Sequence, residues 1–326
     1  MPTGDDPSLD VPGLAAEASS AEVRAMRRWE GVAVLLCTLA CWTSVPLFLR
    51  HLAGYIDHWT NNGWRYGASA LLWLPAVVWA VRRGTLPPSV WRAALVPAVA
   101  NTLGQIAFTA AHSHVDPGLL TFGLRLQMFF IAVGAYLLFP AERPTIRSPR
   151  YLAGLALLVG GVAGVLLQED GLGTGSSMLG VALAIAAGLG YGAYGLSVRK
   201  FMYGYHPVLA FGVIALYTAG ALVALMLAFG RNGGADVFEL GAREWWWMAL
   251  SSVLGIAIGH VLYYTAIDRL GVAATTGVLQ LQPFLVSAAS AVLFGEAMTR
   301  MQWGSGLVAV AGAALVLSAQ KRTERR

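Results

Sequence analysis

Long apolar segments alternate with short polar stretches along most of the chain. Each segment has about 20 residues, the length of α-helix that crosses bilayer hydrocarbon about 30 Å thick. No polar stretch between them is long enough to hold a soluble domain. The pattern predicts an all-α integral membrane protein with ten transmembrane helices, at residues 29–49, 63–81, 91–111, 117–139, 150–167, 176–198, 207–229, 245–267, 273–294 and 302–319.

Lys and Arg are distributed unevenly between the two sets of segment ends. With a cytoplasmic N-terminus, sixteen of them lie on the cytoplasmic side and five, Arg65 among them, on the outer side. Short cytoplasmic loops are enriched in Lys and Arg, so the count predicts that both termini are cytoplasmic. Residues 1–28 lack an apolar run and are predicted to form a disordered cytoplasmic tail, and residues 320–326 a basic cytoplasmic tail.

The composition supports a membrane protein and excludes an ordinary soluble one. Of the 326 residues, 57% are hydrophobic and 12% are charged, and the mean hydropathy is +0.62. Soluble domains contain about 25% charged residues. The net charge of +5 is explained by the basic loops, which lie against anionic lipid, so we expect lipid and no nucleic acid as a partner. The expected location is the cytoplasmic (inner) membrane.

The two halves of the chain resemble each other. A shift of 155 positions pairs seven identical residues between 121–139 and 276–294, among them Gln127 with Gln282 and Phe129 with Phe284. Five segments per copy is an odd number, so the second copy enters the membrane inverted relative to the first. The sequence therefore predicts two inverted five-helix repeats, residues 29–168 and 176–319. Such repeats are typical of secondary transporters with a site near the membrane midplane.

Several short motifs occur in the same order as in a known transporter family. They are Trp42 with Ser44 and Pro46, then Arg65-Tyr66, then two closing blocks, Leu138-Phe139 leading to Glu142 and Gly154, and Leu293-Phe294-Gly295-Glu296 leading to Trp303, Gly304 and Gly306. Over residues 29–319 the chain resembles the EamA-like family of the drug/metabolite transporter superfamily. The resemblance implies a central substrate cavity and export of amino acids or related metabolites.

The sequence departs from this family pattern in two ways. Met128 stands where the second copy has Pro283, and Pro140-Ala141 precedes the first closing glutamate where the second copy has Gly295 alone. Small multidrug-resistance relatives carry a membrane-embedded Glu in their first helix, and this chain has none at that depth. Proton-driven export of cationic drugs is therefore not expected.

Arg125 is the candidate site residue with the clearest physical basis. It lies eight residues past Pro117, about 12 Å along a helix, near the middle of the hydrocarbon. A charge at that depth normally faces a cavity, a partner or a ligand. Arg125 either contacts the substrate or anchors the helix through backbone carbonyls or a loop carboxylate. Its neighbours one turn away, Thr121 and Phe129, and the equivalent stripe of Thr276, Gln280 and Phe284 are predicted to line the same pathway.

Polar side chains also share equivalent faces of the third and eighth segments. Gln105 and Thr109 in the third segment align with His260 and Tyr264 in the eighth. They either line a wet cavity or form hydrogen bonds between packed helices. His260 is a candidate proton carrier because imidazole titrates near neutral pH, although a single His in an apolar helix can equally be a hydrogen-bonded packing residue. Pro283 is expected to free the Leu279 carbonyl and kink its helix.

The remaining features are assigned structural roles. Cys37 and Cys41 are expected to be packing residues, and three pairs of glycines are expected to let helices approach closely, namely Gly160 with Gly164, Gly188 with Gly192, and Gly255 with Gly259. Glu142 and Glu296 are expected to pair with the nearby Arg143, Arg147 or Arg300. His112, His114 and Asp116 have a spacing that suits a metal, but they are expected to be solvated.

The sequence favours transport over catalysis. It contains no phosphate-binding glycine loop and no catalytic constellation, so neither ATP nor another cofactor is expected, no metal is expected, and the protein is not expected to be an enzyme. The sequence predicts a secondary transporter that exports an anionic or zwitterionic metabolite, such as an amino acid, by alternating access. The alternative is a membrane sensor or assembly protein on the same fold. Substrate identity, the coupling ion and the formation of a homodimer are left open.

Overall fold

The computed structural model describes residues 12–168, 177–270 and 272–324, and every regular element in these ranges is helical. Side chains are described from Trp29 to Ala319 except at residues 169–176, 207, 264, 267, 268 and 271–274. The first half contains α1 (Pro12–Leu52), α2 (His58–Arg82), α3 (Ser89–Ala93), α4 (Leu95–Ala111), α5 (Pro117–Gly123), α6 (Gln127–Leu138), α7 (Arg143–Ile146) and α8 (Pro149–Leu166).

The second half repeats this plan. Its helices are α9 (Met178–Phe201), α10 (Pro207–Phe229), α11 (Ala242–Ser252), α12 (Gly259–Leu270), α13 (Val272–Leu279), α14 (Gln282–Phe294) and α15 (Arg300–Glu324). Of the sequence predicted to be tails, residues 12–28 continue α1 and residues 320–324 continue α15 as helix, while residues 1–11, 325 and 326 lie outside the described residues. The Ala and Glu content of residues 12–28 favours helix over coil.

Eight described stretches are long and apolar enough to cross a membrane. They are Trp29–Leu52, Pro117–Leu138, Pro149–Leu166, Met178–Phe201, Val208–Phe229, Ala242–Tyr263, Thr275–Phe294 and Arg300–Ala319. The other two predicted segments correspond to α2, which is long but contains Asn, Trp and Arg side chains, and to α4, which has 17 residues. The all-helical membrane class is thus established, and the count of ten crossings stays a prediction.

Contacts between loops and helix ends divide the molecule into two ends. At one, here the Arg50 end, the Arg50 Nη2 atom lies 2.6 Å from Glu296 Oε1, and the Ser177 amide donates to the His114 carbonyl at 2.8 Å. At the other, here the Arg199 end, Arg199 pairs with Glu142. The expectation that Glu142 and Glu296 pair with arginines close in sequence is wrong, because each carboxylate lies against an arginine of the other repeat.

The helices pack in a pattern that follows the repeat. The first segment (α1) packs on the eighth (α12), and the third (α4) packs on the sixth (α9). In the repeat the first segment corresponds to the sixth and the third corresponds to the eighth, so these two contacts are equivalent. The second packs on the seventh, the fourth on the ninth and the fifth on the tenth, which are pairs of equivalent helices. This arrangement is what two copies related by a two-fold axis produce.

The fifth and tenth segments, α8 and α15, approach most closely at glycines. A Cβ atom on Gly161 would lie 2.4 Å from the backbone nitrogen of Ala309, and one on Gly312 would lie 2.3 Å from that of Leu158. Gly160, expected to pack, has nothing within 4 Å of a Cβ position, whereas Gly164, Gly188, Gly192, Gly255 and Gly259 do face a neighbouring chain segment. The close approach of α8 therefore uses Gly161 and Gly164, and not the predicted pair of Gly160 and Gly164.

Candidate functional site

A cavity of about 640 Å³ lies between the two repeats. Most of its wall is aromatic or aliphatic, and its polar wall is formed by arginine, glutamine, asparagine and histidine side chains. None of the described residues that line it is an Asp or a Glu. The lining residues that determine its shape and charge include Trp42, Val45, Arg65, Tyr66, Asn101, Gln105, Phe108, Arg125, Gln127, Tyr191, Arg199, Gly255, His260, Tyr263, Gln280 and Gln282.

The fourth and ninth segments are both broken beside this cavity. In the first repeat a 3₁₀ turn, Leu124–Leu126, separates α5 from α6, and in the second a turn at Gln280 and Leu281 separates α13 from α14. The two breaks are 155 residues apart, the offset of the repeat. Pro283 follows the second break, but no proline stands at the first, so a proline is not required to break these helices. The breaks bring the helix starts at Gln127 and Gln282 to the cavity wall.

Arg125 lies in the first break and reaches across to the second. Its guanidinium donates from Nε to the Thr121 carbonyl (3.3 Å), from Nη1 to the Leu279 carbonyl (3.4 Å) and from Nη2 to Gln282 Oε1 (2.6 Å). The Leu279 carbonyl is the group that Pro283 was expected to free. Arg125 is 7% exposed and also lines the cavity. The geometry therefore gives Arg125 an anchoring role and leaves it accessible to a ligand.

Arg65 is a second buried guanidinium at the cavity, and the sequence reasoning missed it. It is 2% exposed, its Nε donates to Ser251 Oγ at 2.9 Å, and its Nη1 has no hydrogen-bond partner. The sequence analysis counted Arg65 among the charges of the outer loops, and that assignment was wrong. Helix α2 begins at His58, capped by Asp57, so Arg65 lies two turns inside the helix and not at its end. The polar residues Asn61 and Asn62 stand just before Gly63. They made the apolar segment appear to begin at Gly63 and so concealed the first turns of the helix.

Gln105 belongs to a polar cluster at the same wall. Its side chain lies within hydrogen-bonding reach of the Tyr66 and Tyr191 hydroxyls, and Asn101 is within reach of Tyr66. Asn101 Nδ2 also donates to Thr218 Oγ1 of α10 at 3.2 Å. Nearby, Thr109 donates to Asn62 Oδ1 at 2.8 Å, away from the cavity. Cavity lining and hydrogen bonding between helices therefore both occur on this face of α4, since Gln105 lies at the cavity and Thr109 lies between packed helices.

His260 is held by its own helix and by aromatic rings. Its Nδ1 lies 3.1 Å from the Ile256 carbonyl, and its ring stacks on Phe211 at 4.2 Å and meets the Trp42 ring edge at 5.6 Å. His260 lines the cavity with its neighbour Tyr263. Tyr264 was also predicted to line the cavity, but its side chain lies outside the described residues.

Three predicted lining residues lie elsewhere. The Thr121 hydroxyl donates to the carbonyls of Pro117 and Gly118, Phe129 is 36% exposed but does not line the cavity, and Phe284 packs on Phe122 and Trp303. A 3₁₀ turn advances each residue by about 120° instead of the α-helical 100°, so the three residues Leu124–Leu126 rotate the rest of the helix by about 60°. This rotation accounts for Phe129. Thr121 precedes the turn and is bonded to its own helix, and Phe284 follows the turn in the second repeat, whereas Thr276 of the predicted stripe lines the cavity.

Gln127 and Gln282 take the positions that the predicted stripe assigned to the aromatic residues. Both line the cavity, and Gln282 donates from Nε2 to the Trp42 carbonyl at 2.7 Å while it accepts from Arg125. Their identity across the repeat was visible in the sequence and was the signal for their role. Of the other predicted residues, Gln280 lines the cavity and is 6% exposed, with an unpartnered Oε1.

Metal binding has no support in the described part of the chain, where no group of three His, Cys, Asp or Glu side chains is close enough to hold an ion. His112, one of the three residues with suitable spacing, is buried and directs Nδ1 to the Phe108 carbonyl at 2.8 Å. Asp116 lies 3.8 Å from Arg50. The cluster is therefore part of the contacts at the Arg50 end.

Comparison with known proteins places both repeats in one family. The family model of the EamA-like transporter family matches residues 29–167 and again residues 178–318. A protein known from its crystal structure has the same fold, with a TM-score of 0.59 and 17% identity, over 90% of this chain and 99% of its own. At that identity the likeness concerns the fold alone. No curated protein matches this chain in sequence.

Proposed function

Because this chain belongs to the EamA-like transporter family, we propose that it is a secondary transporter that exports a small anionic or zwitterionic metabolite, such as an amino acid. The cytoplasmic membrane, with both termini inside, is its proposed location. Transport proceeds by alternating access, in which the two inverted repeats move about the cavity between them.

The charge of the cavity wall carries this proposal. Arg125 is buried at the break in the membrane helix, and its three acceptors are two backbone carbonyls and an amide oxygen, none of which has a charge. No described lining residue is acidic. A buried positive charge without a carboxylate partner favours a ligand that brings one. The aromatic wall of Trp42, Tyr66 and Tyr263 suits the apolar part of such a ligand.

The two ends of the cavity support alternating access. Arg199 lines the cavity and its side chain is 54% exposed, so the cavity reaches the Arg199 end. At the Arg50 end the carboxylates of Glu296 and Asp116 converge on Arg50, whose side chain is 24% exposed. With the proposed orientation, the cavity is open to the cytoplasm and closed to the outside. An exporter loads its substrate in this state.

Flux measurements with purified protein test the proposal. Proteoliposomes loaded with individual amino acids should release one or more of them with the wild-type protein, and Arg125→Gln should reduce the rate at least tenfold. Arg92→Gln, which changes an exposed arginine of α3, is the matched control and should keep the rate. If Arg125→Gln and Arg125→Ala transport as well as the wild type, Arg125 is not in the binding site.

The direction of transport needs intact cells. The medium of an overexpressing strain should accumulate the substrate relative to that of a deletion strain, whereas an importer would deplete it. Metabolite profiling of both media identifies the substrate and the direction together. An unchanged medium, combined with a tight stoichiometric protein partner, would favour the sensor or assembly role instead.

A further inference from the structure

Two buried guanidinium groups, those of Arg65 and Arg125, line one cavity. We propose that they form two anion subsites and that the preferred substrate carries two carboxylates. This inference rests on the proposed transport function and specifies its substrate class. A single carboxylate, as in a neutral amino acid, would leave one of the two buried charges without a counter-ion.

Arg65 is arranged to receive a ligand. A guanidinium has five N–H donors, and the protein acceptor found for Arg65 is the neutral hydroxyl of Ser251, at 2.9 Å from Nε. Its Nη1 is buried and unpartnered. Buried polar groups in folded proteins are almost always hydrogen-bonded, so this donor at the cavity wall is available to a ligand. A carboxylate fits such a group well because its two oxygens match the planar guanidinium.

Both guanidinium groups lie close to the part of α1 that lines the cavity, near Trp42 and Val45. Arg125 binds Gln282, which is bonded to the Trp42 carbonyl. Arg65 lies beside Gly255, where a Cβ atom would be 3.5 Å from Arg65 Nη2 and 2.6 Å from Val45. Trp42 and Val45 are three residues apart, about 4.5 Å along α1. Both guanidinium groups therefore lie near the same turn of α1, where one small dicarboxylate can contact both.

The rest of the cavity wall suits the uncharged part of such a ligand. Gln127 and Gln282 contribute neutral amide groups to it, and Tyr66, Phe108 and Tyr191 contribute aromatic rings. The cavity is therefore complementary to an anionic compound with an apolar carbon chain, and its described lining offers no acidic group for a cation.

Isosteric substrate pairs test this inference in wild-type proteoliposomes. Glutamate and glutamine, aspartate and asparagine, and succinate and succinamate each differ by one carboxylate. Hydrogen bonds to charged groups contribute enough that the dicarboxylate of a pair should show a kcat/KM about tenfold to a hundredfold higher. Equal values within the pairs, or a preference for the amides, would overturn this inference and leave the proposed function standing. Absence of flux for every amino acid and dicarboxylate would overturn both.

Arg65 variants locate the second subsite. Arg65→Gln should lower dicarboxylate transport about tenfold more than transport of the matching amide, and Arg65→Lys should restore part of the difference because it retains the charge. A variant that lowers both members of a pair equally would show that Arg65 is structural and would overturn its assignment. Thermal stabilisation of detergent-solubilised Arg65→Gln and Arg65→Lys by succinate, against succinamate, gives the same comparison without transport. A stabilisation by succinate equal to that of the wild type in Arg65→Gln would also overturn it.

Discussion

The Nη2 atom of Arg125 lies 2.6 Å from Oε1 of Gln282, and this hydrogen bond joins the broken helices of the two repeats. Gln282 continues the connection to α1 through the Trp42 carbonyl, 2.7 Å from its Nε2. The two residues therefore fix the position of a buried charge relative to both halves. An anion that binds Arg125 would act on a contact between the elements that must move during alternating access.

Changing Gln282 to glutamate should reduce transport while it preserves the fold. The substitution is isosteric, but it places a carboxylate 2.6 Å from the guanidinium and neutralises the charge offered to the substrate. We expect at least a tenfold loss of flux for an anionic substrate. Because glutamate also loses the hydrogen bond from Nε2 to the Trp42 carbonyl, thermal stability in detergent is measured beside the flux. Ala235→Glu, which adds the same charge at an exposed loop position, is the control. Full activity of Gln282→Glu would show that the positive charge of Arg125 is not used for binding.

The ion pair between Arg50 and Glu296 should control access from the Arg50 end. Its closest N–O distance is 2.6 Å, both side chains are mostly buried, and Arg50 also donates to the His112 carbonyl. Glu296→Gln removes the charge partner and should increase labelling of a cysteine placed at Val45, in the cavity wall, by an impermeant reagent applied from the outside.

A charge reversal is the control for this pair. The double variant Arg50→Glu, Glu296→Arg should recover part of the closure that either single change loses, measured as the labelling rate of the same cysteine. Additive effects of the two changes would indicate that the ion pair does not hold this end closed.

Gly161 and Gly160 form a matched pair on α8. A valine at Gly161 would collide with the backbone of α15, since a Cβ atom there lies 2.4 Å from the Ala309 nitrogen. We expect Gly161→Val to lower the free energy of unfolding by about 1–3 kcal/mol. Gly160→Val meets open space and should be neutral within about 0.5 kcal/mol. Unfolding temperatures of both variants in detergent check this, and equal temperatures would contradict the close packing.

Asp57 caps α2 at the Arg50 end. Burial raises the pKa of its carboxyl, but hydrogen bonds from the Thr60 hydroxyl and from the amides of Thr60, Arg231 and Trp59 outweigh burial and leave the pKa below its ordinary value. Loss of an N-cap destabilises a helix by about 1 kcal/mol. Asp57→Ala should therefore be less stable than the wild type at pH 6–7.

The stability difference between Asp57→Ala and the wild type should depend on pH. The depressed pKa means that the ionised carboxylate stabilises the folded state above about pH 4, its unfolded pKa, and that this contribution is lost as the pH falls through the lower folded pKa. Unfolding temperatures between pH 3 and pH 7 should converge at the acidic end. A difference that is constant over this range would show that ionised Asp57 is not the cap.

The sequence was informative where the physics is local or repeated. Apolar length identified the helical segments, and the offset of 155 identified the two copies. Arg125 was identified by its distance to Pro117, and its side chain is buried at the cavity wall. Arg65 was missed because α2 starts at polar residues, so the apolar run began too late. The sequence predicted Phe129 in the cavity wall, where the structure has Gln127. The cause is the 3₁₀ turn at Leu124–Leu126, which no proline or other local signal marks in the first repeat.

Inversion of the two repeats is the claim on which the cavity and its charge depend. Thr85 and Ala235 lie in equivalent loops of the two copies and are both exposed, and Cys37 and Cys41 can be replaced to give a cysteine-free background. In intact cells an impermeant maleimide should label Ala235→Cys and leave Thr85→Cys unlabelled until the membrane is opened. Labelling of both positions from the same side would contradict the inverted arrangement.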